Sequence, residues 1–102
     1  MKRGEIWLAQ VGRKLRPVLV LTRNEVLEVR SLVTVAEIRS TIRGLAAEVS
    51  LDHDLAGLDQ PSAINCDGLH TVPQSVLTRH VGEIDKKELD RVCAAIDYGL
   101  GC

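Results

Sequence analysis

The chain has 102 residues, 45% hydrophobic and 26% charged, with a formal net charge of −1. That balance excludes disordered and fibrous classes, and the length predicts one domain over residues 1–102 that buries about two-thirds of its unfolded surface. No apolar run reaches the ~20 residues of a membrane-spanning helix, three cysteines without a C-x-x-C pair give no disulfide framework, and one Trp, one Tyr and no Phe leave little for stacking successive bases on aromatic platforms.

Met1, Lys2 and Arg3 lead through Gly4 to charged Glu5 rather than to a signal-peptide core, so a cytoplasmic location with no membrane partner is expected. Residues 5–11 form the first predicted strand, bounded by Gly4 and Gly12. Arg13 to Arg16 make a basic connector. The almost continuous apolar run 17–22 reads as a buried strand, with Pro17 at its first position, where a missing N–H is tolerated. Residues 25–29 fit a helical turn or a loop. Segments 32–38 and 46–51 are rich in β-branched residues, and Arg43-Gly44 between them is a hairpin signal. A polar loop covers 52–61. Residues 63–66 and 69–72 form two short strands, or one strand bent around Asp67-Gly68. A last strand over 76–84 carries Gly82 as a candidate bulge.

The ending is helical. Asp85 and Glu88 have the spacing of a capping box, and Leu89, Val92, Cys93 and Ile96 fall on one helix face until Gly99 and Gly101 stop it. Short strands with one terminal helix predict a small β-barrel carrying a packed helix. Charge divides along the chain: residues 1–50 hold nine Lys/Arg against five Asp/Glu, and residues 51–102 hold four against nine. Seven of the early cations are arginines, whose planar fork suits phosphate. By charge alone, a solvated surface balanced by its own acidic half is the better account of the pattern.

Three segments in order, Lys2-Arg-Gly-Glu-Ile-Trp7, Arg16-Pro-Val-Leu-Val-Leu-Thr-Arg-Asn24 and Val35-Ala-Glu-Ile-Arg-Ser-Thr41, resemble the MazF/PemK toxins of type II toxin–antitoxin pairs. Ser62-Ala-Ile-Asn-Cys-Asp67 and Leu69-His-Thr-Val72 extend the resemblance over about residues 2–98. It implies a mainly β fold, a small SH3-like β-barrel of the CcdB/PemK type with a C-terminal α-helix, as a homodimer. It also implies sequence-selective, metal-independent cleavage of single-stranded RNA by 2′-OH attack, leaving a 2′,3′-cyclic phosphate and a 5′-OH. Such an mRNA interferase inhibits translation, causes growth arrest and is restrained by a cognate antitoxin. No cofactor or metal is expected: Cys66-Asp67 with His70, and Asp52-His53-Asp54, match no recognised ligand spacing.

Internal attack needs a base, an acid and donors for the phosphorane charge. Arg16 matches the family's arginine before Pro-Val-Leu-Val, and its fork can neutralise that charge; by residue type alone it is a turn arginine. The family closes an A-x-I-T pattern with threonine where this chain has Arg39, so Thr41, or Ser40 after a bulge or turn, is the candidate hydroxyl, against ordinary strand-end polarity. His70 replaces a family arginine and can shuttle protons near neutrality, though it also fits a barrel hydrogen bond or a base-reading role. Arg13, Lys14, Arg23, Arg39 and Arg43 are expected to track the RNA backbone, with Thr71 a further RNA contact. Asp67 fits an RNA contact, orientation of His70, or a cap of the turn through Gly68. Trp7, His53, His80 and Cys93 are expected to be structural. The Arg39 departure keeps an alternative open, a non-catalytic toxin-fold binder that is gyrase-poison-like or a degenerate antitoxin binder.

Overall fold

Gly12, with φ +61°, and Arg13 form a two-residue turn that folds β1 (Glu5–Val11) onto β2 (Lys14–Val20). Glycine at the first turn position matches the twist of a hairpin. The computed structural model describes residues 1–54 and 56–101. β2 therefore starts inside the expected basic connector, and Pro17 is its fourth residue, opposite Leu8. The proline is tolerated because β2 pairs with β3 (Leu32–Arg39) only over Val18–Val20, leaving Pro17 bare on that side.

The short helix α1 (Asn24–Leu27) connects β2 to β3, and Gln74 Nε2 donates to the Leu27 and Arg30 carbonyls at its end. β3 and β4 (Glu48–Leu51) do not make the hairpin expected around Arg43-Gly44. β5 (Ser62–Pro73) lies between them, because twelve residues can pair along all of β3 and still carry the four-residue β4 on the other edge. β5 is one strand, with Ala36 opposite Leu69 and Glu37 opposite Asn65, so Cys66, Asp67 and Gly68 bulge out of the ladder. A 3-10 turn, Gln74–Val76, leads to β6 (Leu77–Glu83).

All pairings are antiparallel, and the order is β4-β5-β3-β2-β1-β6. The six-stranded sheet is barrel-like but not closed, since β4 and β6 remain edges. The connection after β4 crosses toward that gap. Gly57, with φ +79°, sits against the Val81 carbonyl, and Gly82 sits against the Ala56 carbonyl. Gly82 thus serves close backbone approach; the ladder's unpaired residues on β6 are Thr78 and Val81.

Alternate residues of the same strands serve two cores. Ile6, Leu19, Ala36, Ile38 and Ile64 meet α2 (Lys86–Leu100) through Val92, while Val18, Val20, Val33, Val35 and Leu77 pack on the other face with Leu27. Asp85 accepts the Glu88 N–H at 2.8 Å, and Gly101, at φ +70°, caps the helix; Gly99 lies within it. Leu89, Ala95 and Ile96 complete its packed face, and half-buried Cys93 accepts from Arg3 Nη2. Burial, reinforced by Asp67 and Cys93, pushes the Cys66 thiol up to about 11. Cys102 lies outside the described residues. No described helix is long and apolar enough to cross a membrane.

Glu5 ties the first strand to the last. Burial opposes its ionisation, but hydrogen bonds from Trp7 Nε1 and the Lys2 N–H, with the charges of His80 and the N-terminus, outweigh it and hold its pKa below the ordinary value. A carboxylate with a depressed folded pKa stabilises above its unfolded value of about 4.3, and that stability is lost as pH falls through the folded value. Urea unfolding of Glu5→Gln should show a deficit of about 1–2 kcal/mol at pH 7 that shrinks at and below pH 4; a deficit independent of pH would contradict the role. Gly82→Ala should cost about 1–3 kcal/mol, because the obstacle is backbone and cannot swing aside.

Candidate active site

The bare half of β2 opens a cleft. Beyond Val18 no β3 residue pairs with it, and a cavity of about 600 Å³ fills the space between the start of β2, the end of β3 and the connection after β4. Arg16, Arg39 and Arg43 line it together with Ser40 and Thr41. β3 ends at Arg39, and Ser40 and Thr41 follow in a bend rather than in strand alternation. That bend lets both hydroxyl residues reach the same cavity. Arg43 is held there by its neighbour: Glu48 Oε1 accepts the N–H groups of Leu45 and Arg43, at 3.1 and 2.9 Å. Those bonds, Leu45 foremost, hold the Glu48 carboxyl below the usual range.

A second cavity of about 470 Å³ lies on the sheet face that carries Val18, Val35 and Val72. It shares Arg16, Glu37 and Arg39 with the first and adds His70. Register explains the grouping. His70 is opposite Val35, Glu37 opposite Val18 and Arg16 opposite Ala9, all on one face by strand alternation. Arg16 and Arg39 therefore stand at the junction of the two cavities, with His70 in one and the Ser40-Thr41 bend in the other.

Glu37 was not singled out by sequence reasoning, yet it sits at the centre. Its Oε2 lies 3.3 Å from His70 Nε2 and 3.5 Å from Arg39 Nη2. Gly68, in the β5 bulge, permits this, since a Cβ there would land on the Glu37 carboxylate and come within 2.7 Å of Asn65 Nδ2. The only sequence signal was a lone acid in an apolar strand; the bulge that brings Gly68 and His70 against it is a long-range property. Asp67 does not face His70. Its Oδ1 is directed to α2, where a Cβ on Gly99 would lie 3.3 Å away.

The other expected RNA contacts are dispersed. Arg13 and Lys14 form the exposed tip and base of the β1–β2 turn, Arg23 precedes α1, and none of the three lines either cavity. Thr71 Oγ1 is 2.8 Å from Thr34 Oγ1 across the strand pair. Trp7 packs on the second core and tilts against His80 at 5.5 Å, and His53 pairs with Asp54. Cys66 and His70 point apart, the thiol toward the Val92 carbonyl beneath α2 and the imidazole toward Glu37. Among the described residues, no group of three or more His, Cys, Asp or Glu is placed to hold a metal ion.

A family model described as a PemK-like, MazF-like toxin of type II toxin–antitoxin systems matches residues 2–100. The chain is 48% identical over 77 residues to Endoribonuclease MazF3 of Mycobacterium tuberculosis, which covers 76% of this chain and 73% of that protein. It superposes on the structure of the Mycobacterium tuberculosis toxin MazF-mt6 with a TM-score of 0.88 at 39% identity, covering 95% and 96% of the two chains. A mycobacterial endoribonuclease solved in complex with its cognate antitoxin shares the fold, with a TM-score of 0.87 over 99% of this chain and 95% of that one, at 19% identity.

Because the atoms that a Cβ at Gly68 meets are ends of side chains, Gly68→Ala should displace Glu37 rather than unfold the sheet. Urea unfolding should show a loss under about 1 kcal/mol, well below that of an overpacked backbone contact. In the same variant the His70 ring resonances should move. Unchanged His70 resonances would mean that Glu37 does not hold the ring.

Proposed function

Since the chain belongs to the PemK-like, MazF-like toxins of type II toxin–antitoxin systems, we propose that the junction around Arg16 is where it cuts single-stranded RNA. The protein is the endoribonuclease toxin of such a pair. The observation that carries the site is that Arg16 lines both cavities, with two further arginines in one and a histidine in the other.

The reaction is the one the family membership implies, and the groups present are suited to it. The ribose 2′-oxygen bonds to phosphorus as its proton passes to a base. The P–O5′ bond breaks, its electron pair stays on O5′, and O5′ takes up a proton. One phosphodiester becomes a 2′,3′-cyclic phosphate and a 5′-OH, with no water consumed, and DNA is spared because it lacks the nucleophile. The Arg16 fork holds two non-bridging oxygens and neutralises the charge they gain, since a guanidinium keeps its proton throughout. His70 is the proton-transfer group, imidazole being the side-chain type suited to passing protons near neutrality. Ser40 or Thr41 supplies a hydroxyl donor to the phosphate from the bend. Arg39 and Arg43 hold the flanking backbone, while Arg13, Lys14 and Arg23 add salt-sensitive affinity outside the cleft, with Thr71 as a peripheral contact; Asp67, turned to α2, is left out of the RNA track.

The same cationic cleft is suited to an antitoxin tail of acidic and apolar residues, which would exclude RNA by occupying it. A homodimer would join two such clefts into a longer track. A cytoplasmic location fits a protein that acts on RNA and pairs with an antitoxin.

With EDTA present and the fold verified by circular dichroism, the wild type should cleave single-stranded RNA and leave 5′-OH ends. Arg16→Ala should lose roughly 10²–10³-fold in kcat at unchanged stability. Intact RNA after incubation with folded wild type would overturn the reading, and antitoxin binding in that setting would favour a degenerate binder.

A further inference from the structure

Among the described residues five line both cavities, and of these Glu37 is the only carboxylate, its Oε2 paired with Arg39. A carboxylate in a cleft for a polyanion weakens binding of the substrate it faces. Its geometry offers a different use. Oε2 is within 3.3 Å of one ring nitrogen of His70, Arg39 reaches the same oxygen from the other side, and the missing side chain at Gly68 leaves the carboxylate its position.

We propose that Glu37 is a positioning residue for His70, fixing the imidazole with its proton on Nε2 and leaving Nδ1 bare toward the cleft. This rests on the cleavage reading above and names the group through which His70 becomes a directional base. A neutral imidazole has two tautomers, and the hydrogen bond made by one nitrogen decides which nitrogen can accept a proton. With Nε2–H directed to the carboxylate, Nδ1 takes the proton of the 2′-OH as the 2′-oxygen bonds to phosphorus. The imidazolium formed is stabilised by the adjoining negative charge, by the logic that a buried acid confers on a catalytic histidine elsewhere. O5′ leaves with its electron pair and is protonated by solvent water, and the imidazolium returns its proton to solvent, so the ring begins and ends neutral.

The charged groups facing His70 are Glu37 and Arg39 from β3 and Arg16 from β2; Asp67, on its own strand, is directed away toward α2. The two arginines repel an imidazolium, so without Glu37 the ring would sit among cations alone. Arg39 takes its place here as the group that anchors Glu37, in addition to holding phosphate. The side chains of His70 and Glu37 are 55% and 34% exposed, so both are accessible to a substrate without any rearrangement of the sheet.

Two measurements on the intact chain test this. Nitrogen-15 NMR of His70, labelled in the ring, should show the neutral wild-type imidazole protonated almost wholly on Nε2, the excess over a free imidazole's own Nε2 preference being lost in Glu37→Ala and in Gly68→Ala and partly kept in Glu37→Gln, whose amide oxygen still accepts. In steady-state cleavage, His70→Ala should lower kcat on the order of 10²-fold. Glu37→Ala should lower kcat roughly ten- to hundredfold with KM unchanged or lower, since a carboxylate facing the polyanion is removed. The double variant should be no slower than His70→Ala. A wild-type ring protonated on Nδ1, or losses that multiply in the double variant, would overturn the pairing while leaving cleavage intact. A folded wild type that does not cleave would instead sink the reading of function, and with it any catalytic use of the pair.

Discussion

Pro17 has no N–H to give, and the site depends on where that deficit falls. β2 is a central strand that pairs along its length with β1, yet β3 joins it only from Val18 onward. Proline in a fully paired central strand would leave a ladder acceptor without its donor, so the ladder stops one residue past it. The unpaired stretch is what separates β2 from the end of β3 and creates the cleft. Arg16, immediately before the proline, is carried by a strand rigid on one side and open on the other. For the phosphate-binding role proposed for Arg16, a position on such a strand needs little ordering when substrate arrives, which is the advantage of placing a site on an element rather than on a loop.

A second irregularity completes the site from the opposite side. The β5 bulge resets the register against β3, so that His70 lines up near Glu37 although thirty-odd residues of sequence lie between them. Glycine at position 68 is needed for space, not for backbone conformation, since the Glu37 carboxylate occupies the volume a side chain would take. The result mixes charges: three arginines line the first cavity, and the Glu37 carboxylate is turned to a histidine and an arginine. In the proposed reading, cationic attraction brings RNA in, while the carboxylate serves the imidazole. The two cores on either face of the sheet hold these positions, each built from alternate residues of the same strands.

Much of this was legible in the chain. The β1 bounds, the Asp85 cap, the helix face through Val92 and the place of Arg16 before Pro-Val-Leu-Val are local patterns, and local patterns survive folding. The departures are long-range. Pro17 looked like a strand start because propensity cannot see that the neighbouring strand stops short. Arg43-Gly44 looked like a hairpin because two β-rich segments flank it, whereas a longer strand from further along the chain won the edge of β3. Asp67 was the nearer acid to His70 in sequence, but the bulge turns it to α2 and brings Glu37 up in its place. The near-zero net charge was least informative of all, averaging a basic half with an acidic one.

The central claim is that one cleft, opened by the unpaired start of β2, receives the RNA. Titration of the labelled protein with single-stranded RNA carrying 2′-O-methyl groups throughout, which cannot attack its own phosphate, tests it without turnover. The account predicts that backbone and side-chain resonances shift at Arg16, Glu37, Arg39, Ser40, Thr41 and His70, with smaller changes at the β1–β2 turn that fade as salt is added. Shifts confined to that turn and to α1, with the Arg16 cleft silent, would contradict it.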